Sequence, residues 1–150
     1  MKIIHGDLIK LALEGRFDVI IHGCNCFCSM GGGIARTIRE VFPEAYAADL
    51  ETENGSRAKL GTFTRAHISR DGRALTIVNG YTQYHPGGPG AADYNAIRSV
   101  MRGVKIAFTG RAIGYPRIGA GIAGGDWNVI SAIIREELAG EDHTLVEYAP

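Results

Sequence analysis

Chemistry-bearing residues concentrate in two short stretches of the chain. The first is Ile20-Ile21-His22-Gly23-Cys24-Asn25-Cys26-Phe27-Cys28-Ser29-Met30-Gly31-Gly32-Gly33-Ile34-Ala35. An apolar run ends there in an imidazole, a carboxamide and three thiols, and three glycines then lead into a helical pattern. Backbone amides at such a strand-to-helix junction bind a small anion without needing a cationic side chain. The second stretch, Pro116-Arg117-Ile118-Gly119-Ala120-Gly121-Ile122-Ala123-Gly124-Gly125, also follows a strand and precedes a helix. His22 has the chemistry of a general acid or base, and Asn25 suits either an unusual turn conformation or the binding of ligand hydroxyls. Asp126 reads as a helix N-cap, with a second role as candidate base.

Several other chemistries are excluded. Gly119 to Gly124 satisfies G-x-G-x-x-G, but the dinucleotide fingerprint belongs near the start of a β-α-β-α-β half, and only Gly125 to Pro150 follow it. No G-x-x-x-x-G-K-[ST] and no G-x-S-x-G occurs, and carboxylates do not cluster as metal-assisted hydrolysis requires. The C-x-C-x-C spacing of Cys24, Cys26 and Cys28 lacks the two-residue gap of zinc knuckles and any further ligand cluster, so no metal and no cofactor is expected. Alternation along an extended segment predicts all three thiols on one side, packed beneath the loop. Trp127 reads as core packing.

The bulk numbers agree with a small-molecule binder. A length of 150 residues suits one domain with a real core. Sixteen basic and sixteen acidic residues cancel, so no net field steers the chain onto a polyanion; the expected partner is a small nucleotide, and nucleic acid is not expected. Twenty-one glycines, gathered in loops, make backbone conformation part of the expected function. The start of the chain has no signal-peptide core and no apolar run reaches about 18 residues. The expectation is a cytoplasmic, monomeric protein with no membrane partner.

The elements that must position these stretches follow from periodicity. Lys2 to His5 reads as a strand, Leu8 to Leu13 as a helix and Phe17 to His22 as a strand buried on both faces. Ile34, Ile38 and Phe42 mark one helical face, and Pro43 opens a helix carrying Tyr46, Ala47 and Leu50. Glu51 to Lys59 reads as polar loop. Strands over Leu60 to Ile68 and Ala74 to Tyr81 are joined through Asp71-Gly72, a hairpin signal. A special loop spans Tyr81 to Ala92 and faces the ligand. Asp93 caps a helix with Tyr94, Ile97, Met101, Val104 and Phe108 inward. A strand over Arg111 to Ile118, a helix with Ile130, Ile133, Ile134 and Leu138 buried, and a strand over Thr144 to Tyr148 complete the series. The fold class is therefore α/β, with a mixed, mostly parallel sheet between helices and the ligand outside the carboxyl ends of the strands.

Together these residues resemble the macrodomain family. Gly6-Asp7-Leu8, then Asn25 with Gly31-Gly32-Gly33-Ile34-Ala35, then Pro116-Arg117-Ile118-Gly119-Ala120-Gly121 look like the family's motifs in order, across nearly the whole chain. Within it, His22-Gly23-Cys24-Asn25-Cys26 with Met30 to Ala35 and Phe42-Pro43 is similar to the yeast-type ADP-ribose 1''-phosphate phosphatases. Tyr81-Thr82-Gln83 and Gly119 to Trp127 look like compact bacterial and phage members.

The resemblance implies a three-layer α/β/α macrodomain over residues 1–150 that binds ADP-ribose. It implies that Asp7 accepts from the adenine amino group, with Leu8 nearby and Tyr148 against the base. Ile118, Gly119, Ala120, Gly121, Ile122 and Ala123 would hold the diphosphate. Gly23, Asn25, Met30, Gly31, Gly32, Gly33, Ile34 and Ala35 would surround the distal ribose, with Tyr81 and Thr82 adjoining. The implied reaction is metal-free hydrolysis of ADP-ribose 1''-phosphate, with His22 and Asn25 catalytic and Asp126 a further base. Two alternatives stand beside it: a binding module without chemistry, and an ADP-ribosyl hydrolase. The hydrolase branch that uses a lysine and an aspartate meets Arg36 or Arg39 and Ala123 here.

Overall fold

The computed structural model describes residues 1–150. In chain order the elements are β1 (Lys2–Gly6), α1 (Leu8–Leu13), β2 (Val19–Cys24), α2 (Gly33–Val41), α3 (Pro43–Leu50), a 3-10 turn at Arg57–Lys59, β3 (Phe63–Arg70), β4 (Arg73–Tyr81), α4 (Tyr94–Ala107), β5 (Ile113–Tyr115), α5 (Trp127–Glu137) and β6 (His143–Tyr148). They form one sheet in the order β1-β6-β5-β2-β4-β3. Every pairing is parallel except the β3–β4 hairpin.

Side-chain alternation along the buried strands divides the core in two. Val19 and Ile21 of β2 pack with Val78, Ile113 and Leu145 against α4 and α5. Ile20, one residue out of phase, packs with Ile77 and Val146 against α1, α2 and α3. A strand read by helices on both faces must be apolar at successive positions, which is the pattern of Val19-Ile20-Ile21. Each fully buried Ile contributes about 2 kcal/mol of hydrophobic stabilisation, so these layers fix the register of the strands.

The topology places the ligand loops. Residues 25–32 leave the carboxyl end of β2 and residues 116–126 leave that of β5, and these two strands are hydrogen-bonded neighbours. Both loops therefore begin side by side on one edge of the sheet.

Some expected bounds shift. β5 is confined to Ile113–Tyr115, because Pro116 has no N–H to continue the ladder and Ile118 N–H turns back to the Pro116 carbonyl at 2.7 Å. β3 starts at Phe63 because the 3-10 turn and Gly61 at φ +87° precede it. Asp71 and Gly72 form the expected hairpin turn, with φ of 51° and 76°. On α3 the buried face is Ala45 and Asp49, one turn apart, and Leu50 is 53% exposed. Tyr94 also turns outward, its hydroxyl accepting from Asp126 N–H at 3.0 Å.

The thiols share Asp49 and Lys59 as neighbours, but strand alternation is not what gathers them. β2 ends at Cys24, and Cys28 adopts φ 53°, so the alternation stops after one residue. Cys26 Sγ donates to the Gln83 carbonyl at 3.6 Å and Cys28 Sγ to the Asp49 carbonyl at 3.3 Å.

Candidate functional site

The first loop is held by buried polar bonds. Asn25 Oδ1 accepts from Phe27 N–H at 2.8 Å, closing a local turn, and Asn25 Nδ2 donates to Ser29 Oγ at 2.8 Å. Lys59, nearly all of it buried, donates from Nζ to the Cys26 carbonyl at 3.2 Å, and Gly55 N–H reaches the same oxygen at 2.7 Å. Arg39 holds the Ser29 carbonyl at 3.1 Å. These ties keep Met30 at φ 42° although it is not glycine, a conformation that costs about 1 kcal/mol or more.

The second loop is shaped chiefly by backbone bonds. Gly125 N–H donates to the Gly119 carbonyl at 2.7 Å, and a Cβ on Gly125 would stand 2.6 Å from that oxygen. Ile122 then reaches across, its Cδ1 lying 3.2 Å from the position a Gly32 Cβ would take. The two loops thus meet over a cleft of about 370 Å³.

Both loops present unpaired backbone donors to this cleft. The N–H groups of Gly31, Gly32, Gly33, Ile34 and Ala35 make no hydrogen bond within the protein, nor do those of Gly121, Ile122 and Ala123. All eight residues line the cleft. Gly33 to Ala35 are the first turn of α2, where orphan amides and the positive end of the helix dipole coincide. Amides arranged in this way are able to hold an anion without a cationic side chain.

A second recess of about 460 Å³ adjoins the cleft and shares Gly33, Ile34 and Pro116 with it. Asp7, Leu8, Val146 and Tyr148 form its other walls. Asp7 Oδ1 caps α1 by accepting from Ile9 and Lys10 N–H at 3.0 and 3.1 Å. Tyr148 is 76% exposed, so a flat ring is presented at the rim.

Gly23, Asn25, Met30, Gly31 to Ala35, Ile118, Gly119 and Gly121 to Ala123 all line the cleft, and Asp7, Leu8 and Tyr148 line the recess. Other expected site residues stand elsewhere. His22 is fully buried and does not line the cleft: it points under α3, with Nε2 2.7 Å from Asn79 Oδ1. A carbonyl oxygen only accepts, so Nε2 carries the proton and Nδ1 faces Cys24 Sγ at 3.7 Å. Burial pulls the imidazole down to about 4, partly offset by the Asn79 bond, so it is neutral at pH 7. In this arrangement the imidazole does not touch the cleft where the sequence suggested an acid or base.

Asp126 is likewise an exposed N-cap, its Oδ1 accepting from Asn128 N–H at 2.9 Å, outside the cleft. Tyr81 is buried, with its hydroxyl donating to Asp49 Oδ1 at 2.7 Å. Thr82 is buried too, with an unpartnered hydroxyl 2.6 Å from where a Gly23 Cβ would sit, so residue 23 must be glycine. Ala120 does not line the cleft and packs against the core beneath α4 and α5. No three His, Cys, Asp or Glu side chains converge on a metal position.

Cys24, Ser29, Gln83, Pro86, Pro116 and Arg117, all within the stretches that the sequence sets around the ligand, also line the cleft, and Asp49 joins them from outside those stretches. Of the special loop, Gln83 and Pro86 do face the cleft. The one available signal for Asp49 was its position four residues after Ala45, on the inner face of a short helix.

Comparison with known proteins agrees with this geometry. An uncharacterised 17.5 kDa protein of Enterobacteria phage T4 is 34% identical over 155 aligned positions, covering all of this chain and 97% of that protein. The macrodomain of Thermus aquaticus DarG superposes with a TM-score of 0.76 at 21% identity, over 99% of this chain and 97% of that one. The chain has the macrodomain fold. No family model matches it. An ADP-ribose 1''-phosphate phosphatase of Ajellomyces capsulatus is 37% identical to this chain over 92 residues, 61% of this chain and about a third (34%) of the fungal protein. No helix of the chain is long and apolar enough to cross a membrane.

Proposed function

We propose that this macrodomain binds ADP-ribose and hydrolyses ADP-ribose 1''-phosphate to ADP-ribose and phosphate without a metal. The observation that carries the reading is the pair of free amide rows on one cleft, joined to a recess walled by Asp7 and Tyr148. A diphosphate fits amides of Gly121 to Ala123, and a terminal phosphate on the distal ribose fits those of Gly31 to Ala35. Such preorganised donors also stabilise charge that develops on phosphate during hydrolysis. Adenine fits the recess, with the second oxygen of Asp7 as acceptor and Tyr148 stacked on the ring. Asn25 retains one donor and one acceptor direction for the distal ribose. The name of the fungal relative supports the same substrate.

Burial of His22 favours one rival, a module that binds ADP-ribose and does no chemistry. Incubation of the chain with ADP-ribose 1''-phosphate in the presence of a chelator, followed by chromatography, separates the two. Phosphate and ADP-ribose should appear together. Micromolar binding by calorimetry with no phosphate released over hours would leave the binding module, and release of ADP-ribose from modified protein or nucleic acid alone would mark an ADP-ribosyl hydrolase.

A further inference from the structure

With His22 beneath the cleft floor, the proton chemistry needs another residue. Only Cys24, Asp49 and Arg117 bring titratable side chains to the cleft. Arg117 is tied to Glu147 Oε1 at 2.7 and 3.2 Å, and a guanidinium does not act as a base. Burial pushes the Cys24 thiol up, with the Asp49 charge adding to the effect, so it stays protonated. Asp49 alone can take up a proton and return it.

Asp49 is positioned as such a group should be. It is 1% exposed, on the inner face of α3, and its carbonyl accepts from Cys28 Sγ at 3.3 Å, which sets it against the first loop. Its Oδ1 accepts from the Tyr81 hydroxyl at 2.7 Å. The Lys59 ammonium stands 4.0 Å from the same oxygen and 4.7 Å from the centre of the Tyr81 ring. The other oxygen, Oδ2, accepts no hydrogen bond from the protein. A purely structural buried carboxylate uses both oxygens, because an unpaired one costs desolvation with no return. Here one oxygen anchors the group and the other is left to the cleft.

We propose that Asp49 is the general base of the phosphatase reaction, with Tyr81 and Lys59 as the residues that position it; this rests on the phosphatase reading above. Asp49 Oδ2 takes a proton from water as the water oxygen forms its bond to phosphorus. The bond between phosphorus and O1'' breaks with its electron pair left on O1'', and the proton held by Asp49 passes to that oxygen. ADP-ribose and orthophosphate leave, and the carboxylate is restored. The amides of Gly31 to Ala35 meet the charge on the phosphate oxygens.

The test compares wild type, Asp49→Asn and Tyr81→Phe, each assayed for phosphate release and for ADP-ribose affinity by calorimetry. Asp49→Asn keeps the shape and the Tyr81 bond, so phosphate release should fall at least ~100-fold with affinity unchanged within about twofold. Tyr81→Phe keeps the carboxylate but frees its anchor, and kcat should fall about tenfold at constant KM. If Asp49→Asn does not fold, the Tyr81→Phe result stands alone as the test. Wild-type turnover with kcat unchanged in the variants overturns the role of Asp49 and leaves the phosphatase reading intact. A wild-type chain that binds ADP-ribose but releases no phosphate overturns both.

Discussion

The two loops that close the cleft reach the same end by different physics. The loop after β2 is fixed by side chains: Asn25, Arg39 and the buried Lys59 tie it down, and it tolerates Met30 and Cys28 at positive φ. The loop after β5 is fixed by backbone bonds and by glycines that admit close approach, as at Gly125. The first can therefore hold side chains at fixed positions, because Asn25, Arg39 and Lys59 restrain its backbone. The second offers amides and little more. Damage to the first should appear as lost stability, and damage to the second as lost affinity.

The largest effect is expected at Lys59. Lys59→Met removes the bond to the Cys26 carbonyl and leaves the Asp49 carboxylate buried without its cation, at a cost of about 3–5 kcal/mol by urea unfolding. A loss below ~1 kcal/mol would show that side chains do not hold this loop.

Acid comes next. The His22 imidazole is held at about 4 when folded, against an ordinary 6.5 when unfolded. Between these values the unfolded chain binds a proton that the folded one does not. The stabilisation is complete above about pH 6.5 and is lost as pH falls to about 4, amounting to about 3 kcal/mol. Burial lowers His143 in the same way and steepens the loss. Urea titrations at pH 7 and pH 4.5 should show the decline, and His22→Gln should flatten it.

The smallest effect belongs to the second loop and is one of affinity. A Cβ on Gly121 meets no protein atom within 4 Å, so Gly121→Ala should unfold within about 0.5 kcal/mol of the wild type. The same methyl would stand among the free amides, and ADP-ribose affinity should fall about tenfold, roughly 1.4 kcal/mol. Unchanged affinity by calorimetry would mean that the diphosphate does not lie on this loop.

Much of the arrangement was legible in the residues. The apolar run into Gly31-Gly32-Gly33 and the run into Gly119-Ala120-Gly121 each announced a strand, an amide cradle and a helix, and hydrogen bonding between β2 and β5 made the two cradles one site. The type of His22 and its place beside the glycines suit an acid or base. Alternation puts its side chain on the face that carries Ile20, beneath α3, where Asn79 of β4 meets it across the sheet. Asp49 was passed over because a single carboxylate in an alanine-rich helix has no local signature.

Local order along the chain determined the fold class, the alternation of strands and helices, and the two glycine-rich loops, since these depend on periodicity and on backbone freedom within a few residues. Which polar side chain reaches the cleft was decided only by tertiary structure. His22, Asp49, Lys59 and Tyr81 are far apart in sequence, and their exposure, charge and bonding partners come from how α3 and the 3-10 turn pack on the ends of β2 and β4.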